Sequence, residues 1–139
     1  MTNNKNLEIL VGDDAFKEIF VDQIFNNTYI PELKKGLSEY EVNVTTDIDY
    51  KEVIQNASKY DVVVTDLDYT GYGKGKEGYE VVDAISKMNP KPLIIMCTSS
   101  DEYQEIEEKT AGKINYLAGA GEGHKFDDLL RILIKHYQN

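Results

Sequence analysis

Five short apolar runs punctuate the chain: LEILV (7–11), VNVT (42–45), DVVVT (61–65), LIIMC (93–97) and INYLA (114–118). They are dense in branched apolar residues, and several lack the in/out alternation of a half-exposed strand. That is the pattern of parallel strands covered on both faces. Between the runs the apolar positions change to helical spacing. Phe16, Ile19, Phe20 and Ile24 fall on one stripe, Val53, Ile54 and Ala57 on a second, and Val82 with Ile85 on a third. Phe126, Leu129, Leu130, Leu133 and Tyr137 make a fourth. The stretch DEYQEIEEKTAG is helical in propensity but poor in apolar residues, which predicts a lightly held surface helix. Strand and helix alternating five times predict an open parallel sheet with helices on both faces. In such sheets ligands bind beyond the carboxyl ends of the strands.

The residues that follow the runs carry the candidate chemistry. Gly12-Asp13-Asp14 follow the first, Asp66 and Asp68 the third, Thr98-Ser99-Ser100 the fourth and Gly119-Ala120-Gly121 the fifth. In the expected sheet Asp13, Asp14 and Asp66 converge at one edge. Three carboxylates packed together are costly unless a cation neutralises them. Oxygen ligands of this kind suit Mg2+. A carboxylate beside Mg2+ is a plausible phosphoryl acceptor, and Thr98 could donate to a phosphoryl oxygen. Each piece also has a plain structural alternative. Asp13-Asp14 could cap a helix starting near Ala15, Asp66 could be a turn residue, and Thr98-Ser99-Ser100 could cap a helix from Asp101. Their joint placement at matching strand ends favours one shared site.

On these residues the chain resembles a response-regulator receiver domain of the CheY-like kind over nearly all of its length. The acidic pair after strand one corresponds to Asp13 and Asp14, and the phosphoacceptor ending strand three to Asp66. Asp68 matches the residue whose backbone carbonyl joins the Mg2+ site. Thr98 and Tyr116 match the switch residues of strands four and five. The resemblance implies a flavodoxin-like (βα)5 fold, a doubly wound parallel sheet of strand order 2-1-3-4-5. It also implies Mg2+-dependent phosphorylation of Asp66 by a histidine kinase or phosphotransfer protein. The output would be contact with a downstream protein through the helix at 101–111, strand five and the last helix.

The pattern departs from the family after strand five, where receivers carry a lysine and this chain has Gly119 and Ala120. If GAGEG is an inserted loop, Lys125 is the candidate substitute; otherwise it is a solvated lysine at a helix start. Losing the lysine need not stop phosphorylation but should weaken its coupling to Thr98 and Tyr116, so the chain reads as an atypical receiver, with a pseudo-receiver that binds partners without phosphate as the alternative. The loop TGYGKGKEG is longer than a receiver needs. Its glycines permit unusual backbone angles, and it offers Lys74 and Lys76 as further cations or as ordinary solvated charges. NNTYIPELKKGLSEYE is also long, and Pro31 should break or start a helix there. That segment is read as an extended or broken first helix and a possible partner surface.

DLDYTG has a second reading. It resembles the Asp-x-Asp-x-Thr motif of haloacid-dehalogenase-like phosphatases, which would make Asp66 the nucleophile, Asp68 the general acid/base and Thr70 a backbone-fixing residue. Order argues against it. In that family the nucleophile follows the first core strand, whereas here two strand–helix units precede Asp66. The expectation is therefore a non-enzymatic signalling module.

Length and composition narrow the classes further. The 139 residues suit one receiver-like domain spanning 1–139, with no output domain. Fifteen basic residues against 25 acidic ones give a net charge of −10, which disfavours nucleic acid. No apolar run approaches the ~20 residues of a membrane span, and the expectation is a cytoplasmic protein. The lone cysteine, Cys97, sits in an apolar run and reads as a core residue.

Overall fold

In the computed structural model, which describes residues 5–121 and 124–138, the five runs form one parallel sheet. Its strands are β1 (Lys5–Gly12), β2 (Tyr40–Asp47), β3 (Val62–Thr65), β4 (Leu93–Thr98) and β5 (Tyr116–Gly119). Their order is β2-β1-β3-β4-β5, as the resemblance implies. The helices are α1 (Ile19–Ile24), α2 (Ile30–Gly36), α3 (Tyr50–Asn56), α4 (Glu77–Ser86), α5 (Tyr103–Thr110) and α6 (Lys125–Tyr137).

Side chains alternate across the central strands, so each feeds both layers. Ile9, Val11, Val62, Val64, Ile95 and Cys97 face the helical segment 16–37 and α6 through Phe16, Phe25, Leu33, Leu129 and Leu133. Leu10, Val63, Ile94 and Met96 face the other layer, where Val53 and Ala57, Val81, Val82 and Ile85, and Ile106 close the second core. Helix α5 is held mainly by one row, Ile106 and Thr110, which are buried while most of the helix is exposed. Cys97 is buried in the first core, as expected.

Register brings the site together. Gly12 pairs with Asp47 on one side and Thr65 on the other. The residues one step beyond, Asp13 and Asp66, therefore leave adjacent strands at the same level. The Asp66 amide donates to the Gly12 carbonyl at 2.9 Å and the Asp13 amide to the Asp47 carbonyl at 2.9 Å. Thr98 pairs with Gly119 at the end of β4 and β5.

The first helical stripe is not the one the spacing suggests. Phe16 is buried, but Ile19 is 74% and Phe20 72% exposed, and Ile24 is exposed too. The face turned to the core is Val21, Phe25, Tyr29, Leu33 and Leu37, a row with strict four-residue spacing in which Phe25, Leu33 and Leu37 are buried and Val21 and Tyr29 half-buried. A regular α-helix turns 100° per residue, so a four-residue row drifts around its surface. The segment Phe25–Tyr29 is a π-helical turn, whose wider winding returns the row to the core. Pro31 sits in the first turn of α2, directly after this turn. Its missing N–H is tolerated at a helix start, so the long first connection is one helix with a π turn rather than a broken pair.

Candidate functional site: an acidic pocket at the sheet edge

Asp13, Asp14 and Asp66 are all buried, and each presents a carboxylate oxygen within 4.8 Å of the other two. Asp13 is fixed by its turn: its Oδ1 accepts from the Ala15 amide at 2.9 Å and caps the short 3-10 turn Asp14–Lys17. One residue thus caps a turn through Oδ1 and meets Lys125 at the pocket through Oδ2. Asp66 Oδ1 accepts from the Leu67 amide at 2.8 Å, which leaves Oδ2 toward the pocket.

The electrostatics of the three acids are unbalanced. Burial, then repulsion from Asp13, pushes the Asp66 carboxyl up to about 7, against the opposing pull of Lys125 and the Leu67 amide. Burial and then Asp13 also raise Asp14, with Lys17 at 3.6 Å opposing. A divalent cation with a preference for oxygen ligands fits this donor set, because it would offset the charge the two upward shifts report.

Lys125, the candidate for the lysine absent after β5, reaches the acidic pocket from further along the chain. Lys125, the first residue of α6, places Nζ 2.5 Å from Asp13 Oδ2 and 3.4 Å from Asp66 Oδ2. Burial opposes its charge, but Asp13 and Asp66 outweigh burial and hold the ammonium above its ordinary value. The backbone of the intervening turn makes this possible. Gly119 (φ +90°), Ala120 (φ +22°) and Gly121 (φ +86°) all lie at positive φ. A Cβ on Gly119 would stand 2.5 Å from both Lys125 Cβ and the Thr98 carbonyl oxygen. Glycine is thus required there for α6 to start close to the sheet. The rest of the proposed GAGEG insertion, Glu122 and Gly123, lies outside the described residues.

Asp68 is divided between two tasks. Its carboxylate accepts from the Thr70 amide (2.8 Å) and hydroxyl (2.6 Å), the Gly73 amide and the Gly75 amide (3.1 Å). Burial works against its charge, but these hydrogen bonds win and lower its pKa. Asp68 also lines the pocket, yet its carboxylate is the organiser of the glycine loop and is not among the three clustered acids. The loop passes over Asp14 at Gly71 and reaches across the mouth at Lys76, whose Nζ is bound by Glu102 and by Glu105 at 3.0 Å. Lys76 is therefore engaged by glutamates, and Lys74 is solvated.

Thr98 is buried at the end of β4 and lines the same cavity, a mouth of about 550 Å³. Its Oγ1 accepts from the Ser100 amide at 3.1 Å, and Ser100 Oγ in turn accepts from Glu102. The helix that follows starts at Tyr103, two residues later than expected. Tyr116 is placed elsewhere. Its phenol pairs with His136 Nδ1 at 2.8 Å on α6, outside the acidic pocket. Sequence reasoning missed Tyr69, which is tucked behind the site. Its hydroxyl meets Thr65 Oγ1 at 2.7 Å, and Thr65 Oγ1 donates to the Asp66 carbonyl at 2.8 Å. Gly12 leaves the room this ring needs, since a Cβ there would overlap the Tyr69 hydroxyl.

Neither a family model nor a curated protein matches the chain in sequence. Solved structures do match in shape. The receiver domain of a sensor histidine kinase from Pseudomonas aeruginosa, described with magnesium in its active-site cleft, superposes with a TM-score of 0.65 at 20% identity; the match covers 96% of this chain and 99% of that one. The chemotaxis response regulator CheY4 of Vibrio cholerae gives 0.63 at 20% identity, covering 94% and 98%. The response regulator DrrB of Thermotoga maritima gives 0.65 at 17% identity. The match covers 95% of this chain but only 52% of DrrB, so the chain spans about half of that regulator's length. The fold is that of receiver domains. Among the described residues, no helix of this receiver fold is long and apolar enough to cross a membrane.

Proposed function

We propose that this chain is a signalling receiver that accepts a phosphoryl group on Asp66 from a histidine kinase or phosphotransfer protein and acts by protein–protein contact. The observation that carries this reading is the convergence of Asp13, Asp14 and Asp66 on one pocket with the Lys125 ammonium between two of them. Asp66 Oδ2 is the attacking oxygen, and the donor's P–N bond breaks as the new O–P bond forms. Lys125 favours the ionised form of Asp66, against burial and Asp13, and would meet the phosphoryl oxygens after transfer. Asp13, Asp14 and Asp66, with the Asp68 backbone carbonyl, would hold Mg2+. When bound, the ion neutralises charge on the transferring group. Thr98 then donates to a phosphoryl oxygen, and Tyr116 reports the change at the surface formed by α5, β5 and α6.

Lys125 removes the main reason for preferring a pseudo-receiver. The phosphatase reading loses support because the Asp68 carboxylate is consumed by loop hydrogen bonds and is not free for acid/base work. The decisive test is treatment with acetyl phosphate and Mg2+ followed by intact-mass measurement. A phosphoryl increment is expected that needs Mg2+ and is lost in Asp66→Asn. An increment that survives the substitution would refute Asp66 as acceptor.

The exposed apolar residues suggest where the donor rests. Ile19, Phe20 and Ile24 on α1, Ile48 after β2 and Tyr72 in the glycine loop are exposed, and all lie in segments that follow the carboxyl ends of β1, β2 or β3. Ile19→Ser with Phe20→Ser is expected to leave phosphorylation by acetyl phosphate unchanged, since both side chains already face solvent. Transfer from a phosphorylated histidine phosphotransfer protein should slow by about tenfold, the effect of losing one or two apolar anchors. Equal slowing with both donors would place the effect in folding rather than docking.

A further inference from the structure

Lys125 reaches Asp13 and Asp66 only because the first turn of α6 is docked against the strand ends, and something must hold it there. The helix N-cap, His124, makes no side-chain capping bond. Three other contacts are available. Phe126 packs against Phe16 (5.7 Å between ring centroids), Phe25 (5.0 Å) and Tyr29 (5.8 Å). The Lys125 carbonyl accepts a weak bond from Cys97 Sγ at 3.5 Å. Asp128, one turn after Lys125, takes the Gly119 amide on Oδ2 at 2.8 Å and is paired with Arg131 through Oδ1. Of these, the Asp128 bond joins α6 directly to the positive-φ residue that ends β5. Phe126 fixes the depth of the helix in an apolar cluster, whereas a hydrogen bond to a backbone amide fixes its position along the strand.

We propose that Asp128 is a positioning residue for the phosphoryl-site lysine: by holding the Gly119 amide it sets the start of α6 and so the reach of Lys125 Nζ to Asp66. Asp128 acts through the backbone rather than by its charge. The acids that govern the Lys125 ammonium are Asp13 and Asp66, and Asp128 is not one of them. An asparagine at 128 keeps an acceptor oxygen for the Gly119 amide and should therefore serve almost as well. The inference rests on the reading of Lys125 as a phosphoryl-contacting cation.

The test is a double-mutant cycle on the full chain, with the rate of Mg2+-dependent Asp66 phosphorylation by acetyl phosphate as the readout. Removing one preorganised donor to a reacting oxyanion is worth a large rate factor, so Lys125→Ala should slow the reaction about tenfold or more. Asp128→Ala should show most of that loss, Asp128→Asn little of it, and Asp128→Ala should add less than about twofold in the Lys125→Ala background. A purely structural Asp128 would slow both backgrounds alike, and that result overturns the proposal. So does a wild-type rate in Asp128→Ala, which would mean that Phe126 suffices. If Lys125→Ala itself is without effect, the reading of Lys125 falls and this inference with it. Should Asp128→Ala fail to fold, amide hydrogen exchange of Gly119 in the wild-type chain decides: strong protection is expected, and rapid exchange overturns the bond on which the proposal stands.

Discussion

Asp66→Asn is expected to stabilise the metal-free protein at pH 8 by on the order of 2–4 kcal/mol, with the gain shrinking as the pH falls toward 4. The cause is the burial of Asp66 beside Asp13, which raises its carboxyl to about 7. A group whose folded pKa lies above its unfolded value binds more protons in the folded state. Across the window from the ordinary carboxylate value, 3.8, to about 7, the unfolded chain releases its Asp66 proton while the folded chain keeps it. Stability therefore declines as pH rises through that window, and above it the full cost of ionising a buried acid is present. Asparagine never ionises, so it escapes that cost. The loss of the 3.4 Å contact to Lys125 subtracts little, because Lys125 keeps Asp13 at 2.5 Å. Thermal melts of both proteins in chelator at pH 5 and pH 8 check this. A wild-type protein that is more stable at pH 8 than at pH 5, with no gain from the asparagine, would contradict it. Added Mg2+ should narrow the difference by stabilising the wild type, because the ion binds the folded carboxylates.

The second large effect is structural. Gly78, in the first turn of α4, lies directly on the end of β3. A Cβ there would overlap the Asp66 carbonyl oxygen and stand 2.6 Å from Leu67 Cα. These are backbone atoms of Asp66 and Leu67, and no side-chain rotation relieves the overlap. The Gly78 amide also donates to the Leu67 carbonyl at 2.8 Å, so the helix cannot back away without losing a buried hydrogen bond. Gly78→Ala should therefore cost about 3 kcal/mol or more, at the upper end for overpacking. Urea denaturation would show it as a lower midpoint. The folded fraction should also phosphorylate poorly, since relief of the clash moves the Asp66 peptide. An unchanged midpoint would mean that α4 has freedom the packing does not suggest.

How much of this was legible beforehand follows from which physical signals are local. The meeting of Asp13, Asp14, Asp66 and Thr98 is legible because the three acids directly follow strands and Thr98 ends one, and parallel register aligns strand ends. The sheet order comes with the resemblance, and the observed order β2-β1-β3-β4-β5 matches it. The face of α1 is not legible because Ile19, Phe20 and Ile24 have ordinary helical spacing, whereas the buried row depends on a π turn that spacing alone does not announce. Lys125 was visible as a candidate only, since its reach depends on three consecutive residues at positive φ, one of them an alanine. The capture of Asp68 by the glycine loop and of the Gly119 amide by Asp128 left no pattern in the sequence. Both are hydrogen bonds to backbone amides whose directions are set only once the turns have formed.

The π turn has a consequence beyond the burial of Phe25 and Leu33. Residues 16–37 carry two overlapping apolar stripes, and a helix of uniform winding would have to choose between them. With the extra residue at Phe25–Tyr29 the core takes one stripe, and the other is left in water as Ile19, Phe20 and Ile24. This segment is thus locally frustrated: its second-best packing solution is written on its surface. A protein that covers Ile19 and Phe20 relieves that conflict without repacking the core. Deleting one residue from the π turn would rotate α1 by about 100° relative to α2 and hand the choice to the other stripe.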